Sequence, residues 1–266
     1  MKIAAIQMNS QDNKEHNYAE AERLVRAAAK DGASLIVLPE YFAYLSVDNA
    51  AQRESGELLG AGELSRRLSA LARELKITLH AGSMVERDGD ARYNATAVFD
   101  PRGELIARYR KIHLFDVEVP GGLTYLESAW VDRGRDVVTY RVGDVTVGCA
   151  ICYDIRFPEM FRQLRDLGCD VIVLPAAFTA QTGKDHWEVL SRARAIETQT
   201  YFVACGQVLG HGGGVKSCWG HSMIVDPWGC VVAQASDRVG FTAAEIDLDY
   251  VRTIRQNVPV ANHHVL

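Results

Sequence analysis

Part of this chain is written twice, and that repetition constrains the fold more than any other feature. Gly32-Ala-Ser-Leu-Ile-Val-Leu-Pro-Glu40 is matched by Gly168-Cys-Asp-Val-Ile-Val-Leu-Pro-Ala176. Each copy opens on a glycine suited to end a helix, continues as a near-continuous apolar run and closes on proline. Such a run reads as a strand buried on both faces. A second pair, Ala95-Thr-Ala-Val-Phe-Asp-Pro-Arg-Gly-Glu-Leu-Ile-Ala107 and His221-Ser-Met-Ile-Val-Asp-Pro-Trp-Gly-Cys-Val-Val-Ala233, reads as two hairpins turning on Asp-Pro-x-Gly.

The elements between these landmarks repeat in the same order. An opening strand (3–8; 145–151) precedes a helix (about 15–30; 158–167), the Val-Leu-Pro strand, a second helix (about 62–75; 185–199), a further strand (77–85; 201–208) and the hairpin. Pro158 suits the first turn of its helix, and Gly168 the position just past its end. Two α/β units whose helices cover one face of each sheet bury the remaining faces by packing sheet on sheet. The expected fold is therefore an α/β, duplicated four-layer α-β-β-α sandwich. It would form a single domain over 1–266, with halves at about 1–115 and 140–250 and a C-terminal tail at 251–266.

Composition narrows the function. With a net charge of −5 and no basic stripe interleaved with aromatics, the chain is not expected to bind nucleic acid. No stretch approaches the roughly 20 apolar residues of a membrane span. The N-terminus turns polar too early for a signal peptide, which makes the cytoplasm the expected compartment. All six cysteines (149, 152, 169, 205, 218, 230) lie in the second half, mostly among small or apolar neighbours, and no structural disulfide is expected. Cys149-Ala-Ile-Cys152 spells a CxxC, but residues three apart on a strand point to opposite faces, and there is no second pair to complete a zinc site.

Three reactive side chains follow apolar strands: Glu40, Lys111 and Cys152. In open α/β sheets ligands bind beyond the carboxyl ends of strands, so the three would converge on one edge. Separately they read as a solvated or capping glutamate, a surface cation and a buried thiol. Together they supply a base, a cation and a nucleophile. A neutral thiol attacks poorly unless a neighbour accepts its proton. An ammonium and the backbone N–H of Tyr153 would hold the oxyanion of a tetrahedral intermediate. This chemistry is acyl transfer through a thioester, and Ala176 in the second copy leaves one such site per chain.

Leu38-Pro-Glu40, Tyr109-Arg-Lys-Ile-His-Leu114 and Cys152-Tyr-Asp-Ile-Arg-Phe-Pro-Glu159 resemble the strings that carry the Glu-Lys-Cys triad of the nitrilase superfamily of carbon-nitrogen hydrolases. The resemblance runs from the first strand to Pro259, and the family's duplicated sandwich agrees with the repeat. Lys111-Ile-His-Leu-Phe-Asp116, Arg192-Ala-Arg-Ala-Ile-Glu197 and Asp226-Pro-Trp-Gly229 look like the Nit branch, which contains omega-amidases and deaminated-glutathione amidases. The resemblance implies an amidase that needs no metal or cofactor, takes a small carboxylate-bearing amide and forms a homodimer or larger homo-oligomer. It also implies a second functional glutamate, Glu127, whose plain alternative is a surface charge.

The segment 116–125 would suit a mobile lid. Arg156, four residues past the nucleophile, is read either as the clamp for a substrate carboxylate or as the ion-pair partner of Asp154 or Glu159. His113, His186 and His221 are read as hydrogen-bonded structural residues. Within catalysis the alternative is an N-carbamoyl amino acid amidohydrolase or another aliphatic amidase. Outside it stand a thiol redox protein, which would need a reversible Cys149–Cys152 disulfide, and a silent binding protein, in which Cys152 would resist carbonyl electrophiles.

Overall fold

Each Val-Leu-Pro run forms a strand inside a sheet rather than at its edge. The computed structural model describes residues 1–119, 123–263 and 265. Its first part contains β1 (Lys2–Gln7), α1 (Lys14–Lys30), β2 (Leu35–Val37), α2 (Asn49–Glu54), α3 (Glu63–Leu75), β3 (Thr78–His80), β4 (Met84–Asp88), β5 (Ala91–Phe99) and β6 (Leu105–Arg110). A connecting stretch holds β7 (Asp116–Val119), β8 (Leu123–Leu126), a 3-10 turn at Glu127–Ala129 and β9 (Thr139–Val142). The second part has β10 (Val145–Cys149), a 3-10 turn at Cys152–Arg156, α4 (Pro158–Asp166), β11 (Val171–Ala176), α5 (Ala180–Thr198) and β12 (Tyr201–Gly206). There follow β13 (Val208–His211), β14 (Lys216–Trp219), β15 (Met223–Val225), β16 (Val231–Gln234), β17 (Gly240–Glu245) and α6 (Leu248–Asn257).

The repeat is visible in the sheet order. One sheet runs β17-β1-β2-β3-β5-β4, with β6 on the far edge of β5; the other runs β16-β15-β12-β11-β10-β9. In each, three parallel strands lead into an antiparallel hairpin. α1 and α3 cover the first sheet and α5 the second, with α4 packed on α5. The bare faces meet where β12 lies over β1, and the Cys205 thiol donates across the interface to the Ile6 carbonyl (2.6 Å). This is the four-layer α-β-β-α sandwich.

Local chemistry explains the boundaries. Asn13 caps α1 through His16 N–H (3.0 Å), Pro158 opens α4, and Gly32 and Gly168 take φ of +91° and +81° just past their helices. α5 begins at Ala180, ahead of the expected start at about 185, and carries Gly183 within its first turns. A Cβ there would lie 2.3 Å from Trp219 Cβ, so glycine is what lets the helix press onto β14.

Three expectations need correction. The strand read over 77–85 is split into β3 and β4, both paired to the same edge of β5, with a bulge at 81–83. The half placed at 140–250 does not close on itself: β17 pairs antiparallel with β1, from Lys2↔Glu245 to Gln7↔Gly240, because β1 otherwise has an open edge. The tail placed at 251–266 begins inside α6, which Asp247 caps through the Asp249 and Tyr250 amides.

His80, at the end of β3, is fully buried; its Nδ1 meets Tyr140 Oη at 3.1 Å and burial pulls its pKa down to about 3. Below pH 6.5 the unfolded chain takes up a proton that the folded protein refuses until about pH 3. Over that window this one group removes stability at about 1.4 kcal/mol per pH unit as the pH falls. Urea denaturation at pH 7.5 and 5.5 is expected to show a shallower decline for His80→Gln than for the unsubstituted chain; equal declines would refute the assignment.

Candidate active site

Glu40 sits in the turn after β2, where its backbone is held from two sides. The β3–β4 bulge grips it: Ser83 Oγ accepts the Tyr41 amide (3.1 Å) and the Ser83 amide reaches the Pro39 carbonyl (3.3 Å). Gly82, at φ +47°, makes this approach possible, since a Cβ there would lie 2.1 Å from the Pro39 oxygen. From the second sheet, Gln207 Nε2 donates to the Glu40 carbonyl (2.9 Å). The Glu40 carboxylate is buried. Oε1 accepts from Asn94 Nδ2 (2.8 Å) and Lys111 Nζ (3.0 Å), and Oε2 from the Ala177 amide (2.7 Å).

Lys111 follows β6 and is equally buried. Its ammonium bridges Glu40 and Glu127, the latter at 2.8 Å. Burial alone would pull it down, but the charges of Glu127 and Glu40 outweigh that and hold it well above the usual lysine value. Glu127 also accepts from Asn94 Nδ2 (3.0 Å), Tyr41 Oη (2.8 Å) and the Phe115 amide (2.7 Å). Although burial opposes it, the Lys111 charge, with the Asn94 and Phe115 donors, holds Glu127 below the usual glutamate value.

The strand read over 145–151 ends two residues early. β10 ends at Cys149, and Cys152 lies three residues on, opening a 3-10 turn with φ of +46°. A non-glycine residue in this region stores of order 1 kcal/mol of strain, and here the turn is over-determined by Asp154. Asp154 is fully buried and accepts from the Ile151 amide (2.8 Å), Tyr109 Oη (2.6 Å), the His113 amide (3.1 Å) and His113 Nδ1 (2.8 Å). One carboxylate thus ties the cysteine turn to the lysine segment. Burial first, then the Glu40 charge, pushes the Cys152 thiol well above its ordinary value, with Lys111 opposing. Cys152 is thus a thiol beside a carboxylate, and any attack by its sulfur would require proton transfer. Cys149 and Cys152 do not share a strand, since Cys149 lies inside β10 and Cys152 beyond it, and all six cysteines are free.

Glu40, Lys111, Glu127 and Cys152 line one cavity of about 220 Å³. Its walls come from Tyr41 and Trp130, from Phe115 and Tyr125, and from His211, Lys216 and Cys218. The segment read as a lid is an antiparallel hairpin, β7 paired with β8, while its Pro-Gly-Gly at 120–122 lies outside the described residues. Tyr153 supplies the second amide of the 3-10 turn, where the first N–H groups lack intrahelical partners. Arg156 is not brought into the cavity. It lines a small neighbouring cleft with Cys152 and Tyr153, its Nη2 3.3 Å from His186 Nδ1 and its guanidinium 5.3 Å from the Phe178 ring; Asp154 is engaged elsewhere. His113 stacks on Phe157, and His221 Nδ1 meets the Trp219 carbonyl at 2.9 Å. Among the described residues no group of three or more His, Cys, Asp or Glu side chains is placed to hold a metal.

Asn94 and Tyr41, which sequence reasoning did not single out, complete the polar network. Asn94 carried a signal, an amide inside the otherwise apolar start of a hairpin. Tyr41 carried none.

A family model for carbon-nitrogen hydrolases matches residues 2–256. The chain is 41% identical over 267 residues to the deaminated glutathione amidase of Synechocystis sp. (strain PCC 6803 / GT-S), covering 98% of this chain and 97% of that protein. It is 39% identical over 261 residues to omega-amidase NIT2 of Homo sapiens, covering 97% and 93%. Among solved structures, the C. elegans NitFhit protein matches with a TM-score of 0.92 at 37% identity over 99% of this chain, which spans 64% of that protein's length. The chain belongs to the carbon-nitrogen hydrolase family and acts on carbon-nitrogen bonds other than peptide bonds.

Gly82→Ala is expected to lower both stability and kcat, because the added methyl displaces Pro39 and with it Glu40. Asn94→Ala, which removes one donor from each carboxylate without moving the backbone, is expected to lower kcat by one to two orders of magnitude. Melting curves and steady-state rates on the two variants check both; wild-type turnover by Gly82→Ala would refute the positioning role of the bulge.

Proposed function

We propose that this carbon-nitrogen hydrolase cleaves a small carboxylate-bearing amide through a thioester on Cys152. The observation that carries the reading is the convergence of Cys152, Glu40 and Lys111 on one buried cavity, with Lys111 held between Glu40 (3.0 Å) and Glu127 (2.8 Å). In this mechanism Glu40 accepts the thiol proton as the sulfur attacks the amide carbon and the C–S bond forms. Lys111 Nζ and the Tyr153 amide take the oxyanion, an interaction worth about 3 kcal/mol per donor. Glu40 returns the proton to the departing nitrogen, which leaves as ammonia from a primary amide. It then accepts a proton from water as the thioester is hydrolysed, freeing the acid and restoring the thiol. Glu127 fixes Lys111 and borders the bound acyl group. Arg156 stands next to Cys152 but outside the cavity, so in this reading it does not clamp the carboxylate of a substrate bound there.

The substrate in this reading is a 2-oxo-acid omega-amide or deaminated glutathione. The names of the relatives support both, and the cavity suits a compact acyl chain. A working place in the cytoplasm fits six free thiols, and no described helix is long and apolar enough to cross a membrane. Assembly as a homodimer is supported by the outer face of α5, where Val189 (66%) and Ile196 (49%) are exposed, together with Trp228 (57%) on the adjoining hairpin.

Cys152→Ala is expected to stay folded and to release no ammonia from 2-oxoglutaramate; persistent turnover would sink the mechanism. Steady-state comparison of 2-oxoglutaramate, deaminated glutathione and an N-carbamoyl amino acid ranks the candidate substrates by kcat/KM. Sedimentation is expected to give twice the 29.4 kDa chain mass, and Val189→Asp combined with Ile196→Asp to give the monomer. A monomer without those changes would remove the dimer.

A further inference from the structure

The catalytic corner of the cavity is acidic overall. Glu40 and Glu127 share one cation, Lys111, leaving one excess negative charge where the substrate must sit. A carboxylate-bearing amide entering that corner is repelled unless a second cation lies on the wall, and within a recessed site such charges act at high effective strength.

That cation is on the β13–β14 hairpin. Lys216 pairs with His211 across the two strands, and cross-strand partners project from the same face. Both line the cavity. His211 is buried with Nδ1 2.7 Å from the Ser10 carbonyl, an arrangement in which Nδ1 carries the proton; burial first, and then Lys216, hold its pKa down, so it adds no positive charge. Lys216 is part-buried, with its Nζ 5.2 Å from the centre of the Tyr125 ring, which lines the same cavity. Among the described residues no carboxylate pairs with it, whereas Lys111 holds two. The alternative cation, Arg156, borders a cleft of about 10 Å³, room for about one water, and meets His186 and Phe178 there.

We infer that Lys216 is the specificity-determining residue, receiving the carboxylate at the far end of the amide's acyl chain while Tyr125 backs the ammonium. The inference rests on the reading of Cys152, Glu40 and Lys111 given above. It makes the enzyme selective for acyl groups that end in an anion, and it assigns to the hairpin a role that none of the catalytic strings contains.

The test compares glutaramate with pentanamide, two primary amides of equal chain length of which only the first carries a carboxylate. The quantity read is the ratio of their kcat/KM values on one preparation, which does not depend on how much of that preparation is folded. Lys216→Met is expected to reduce the glutaramate-to-pentanamide ratio roughly 10- to 100-fold, chiefly through KM for glutaramate, and Lys216→Arg to restore most of it. A merely structural lysine would depress both amides together and leave the ratio intact, which overturns the inference. So does a larger fall in Arg156→Met than in Lys216→Met. Failure of the underlying mechanism looks different: the unsubstituted enzyme would hydrolyse neither amide, or would do so undiminished in Cys152→Ala.

Discussion

A single buried ammonium holds the site together. Lys111 lies between Glu40, from the turn after β2, and Glu127, from the 3-10 turn after β8. Desolvating three charges costs several kcal/mol per ion, and only close geometry with every remaining lone pair satisfied offsets that. The surrounding structure supplies those partners: Asn94 to both carboxylates, Ala177 to Glu40, and Tyr41 and Phe115 to Glu127. The protonation states follow. An ammonium flanked by two carboxylates is held in its charged form, and a buried thiol beside the same anions in its protonated form.

The two halves of the repeat are not equal contributors. Glu40 ends the first Val-Leu-Pro run, and Ala176 ends the second, yet the residue after Ala176 donates its amide to the Glu40 carboxylate. The acid-free copy has become part of the acid's support. Gln207, following β12, does the same for the Glu40 carbonyl. Sheet-on-sheet packing is thus what brings Glu40 and its supports together, since Glu40 and Ala177 follow strands of different sheets.

Much of this was legible in the sequence for a physical reason: buried parallel strands cannot hide their composition. Two apolar runs ending in proline, two Asp-Pro-x-Gly turns and their shared order led directly to the sandwich, and polar residues just past such runs led to Glu40, Lys111 and Cys152. What escaped was set by contacts between distant segments. Gly82 looked like a residue in a strand, but its φ of +47° depends on Pro39 pressing against it. Gly183 is the point where α5 meets Trp219, a contact that its own neighbours in the chain do not announce. Asp154 seemed a possible partner for Arg156, yet it binds Tyr109, His113 and Ile151, three residues within the strings that flank the lysine and the cysteine. Lys216 stood in a glycine-rich loop with no periodicity to mark it.

The pairing of β17 with β1 has a bearing on how the molecule is made. Lys2 lies beside Glu245 and Gln7 beside Gly240, so β1 waits for a strand made much later in synthesis before it has both neighbours in its sheet. Until then β1 offers an open apolar edge to other nascent chains, and the closure of so long a loop is slow. Translation of this chain is therefore a period of exposure, during which premature termination leaves an adhesive fragment rather than a partly active enzyme.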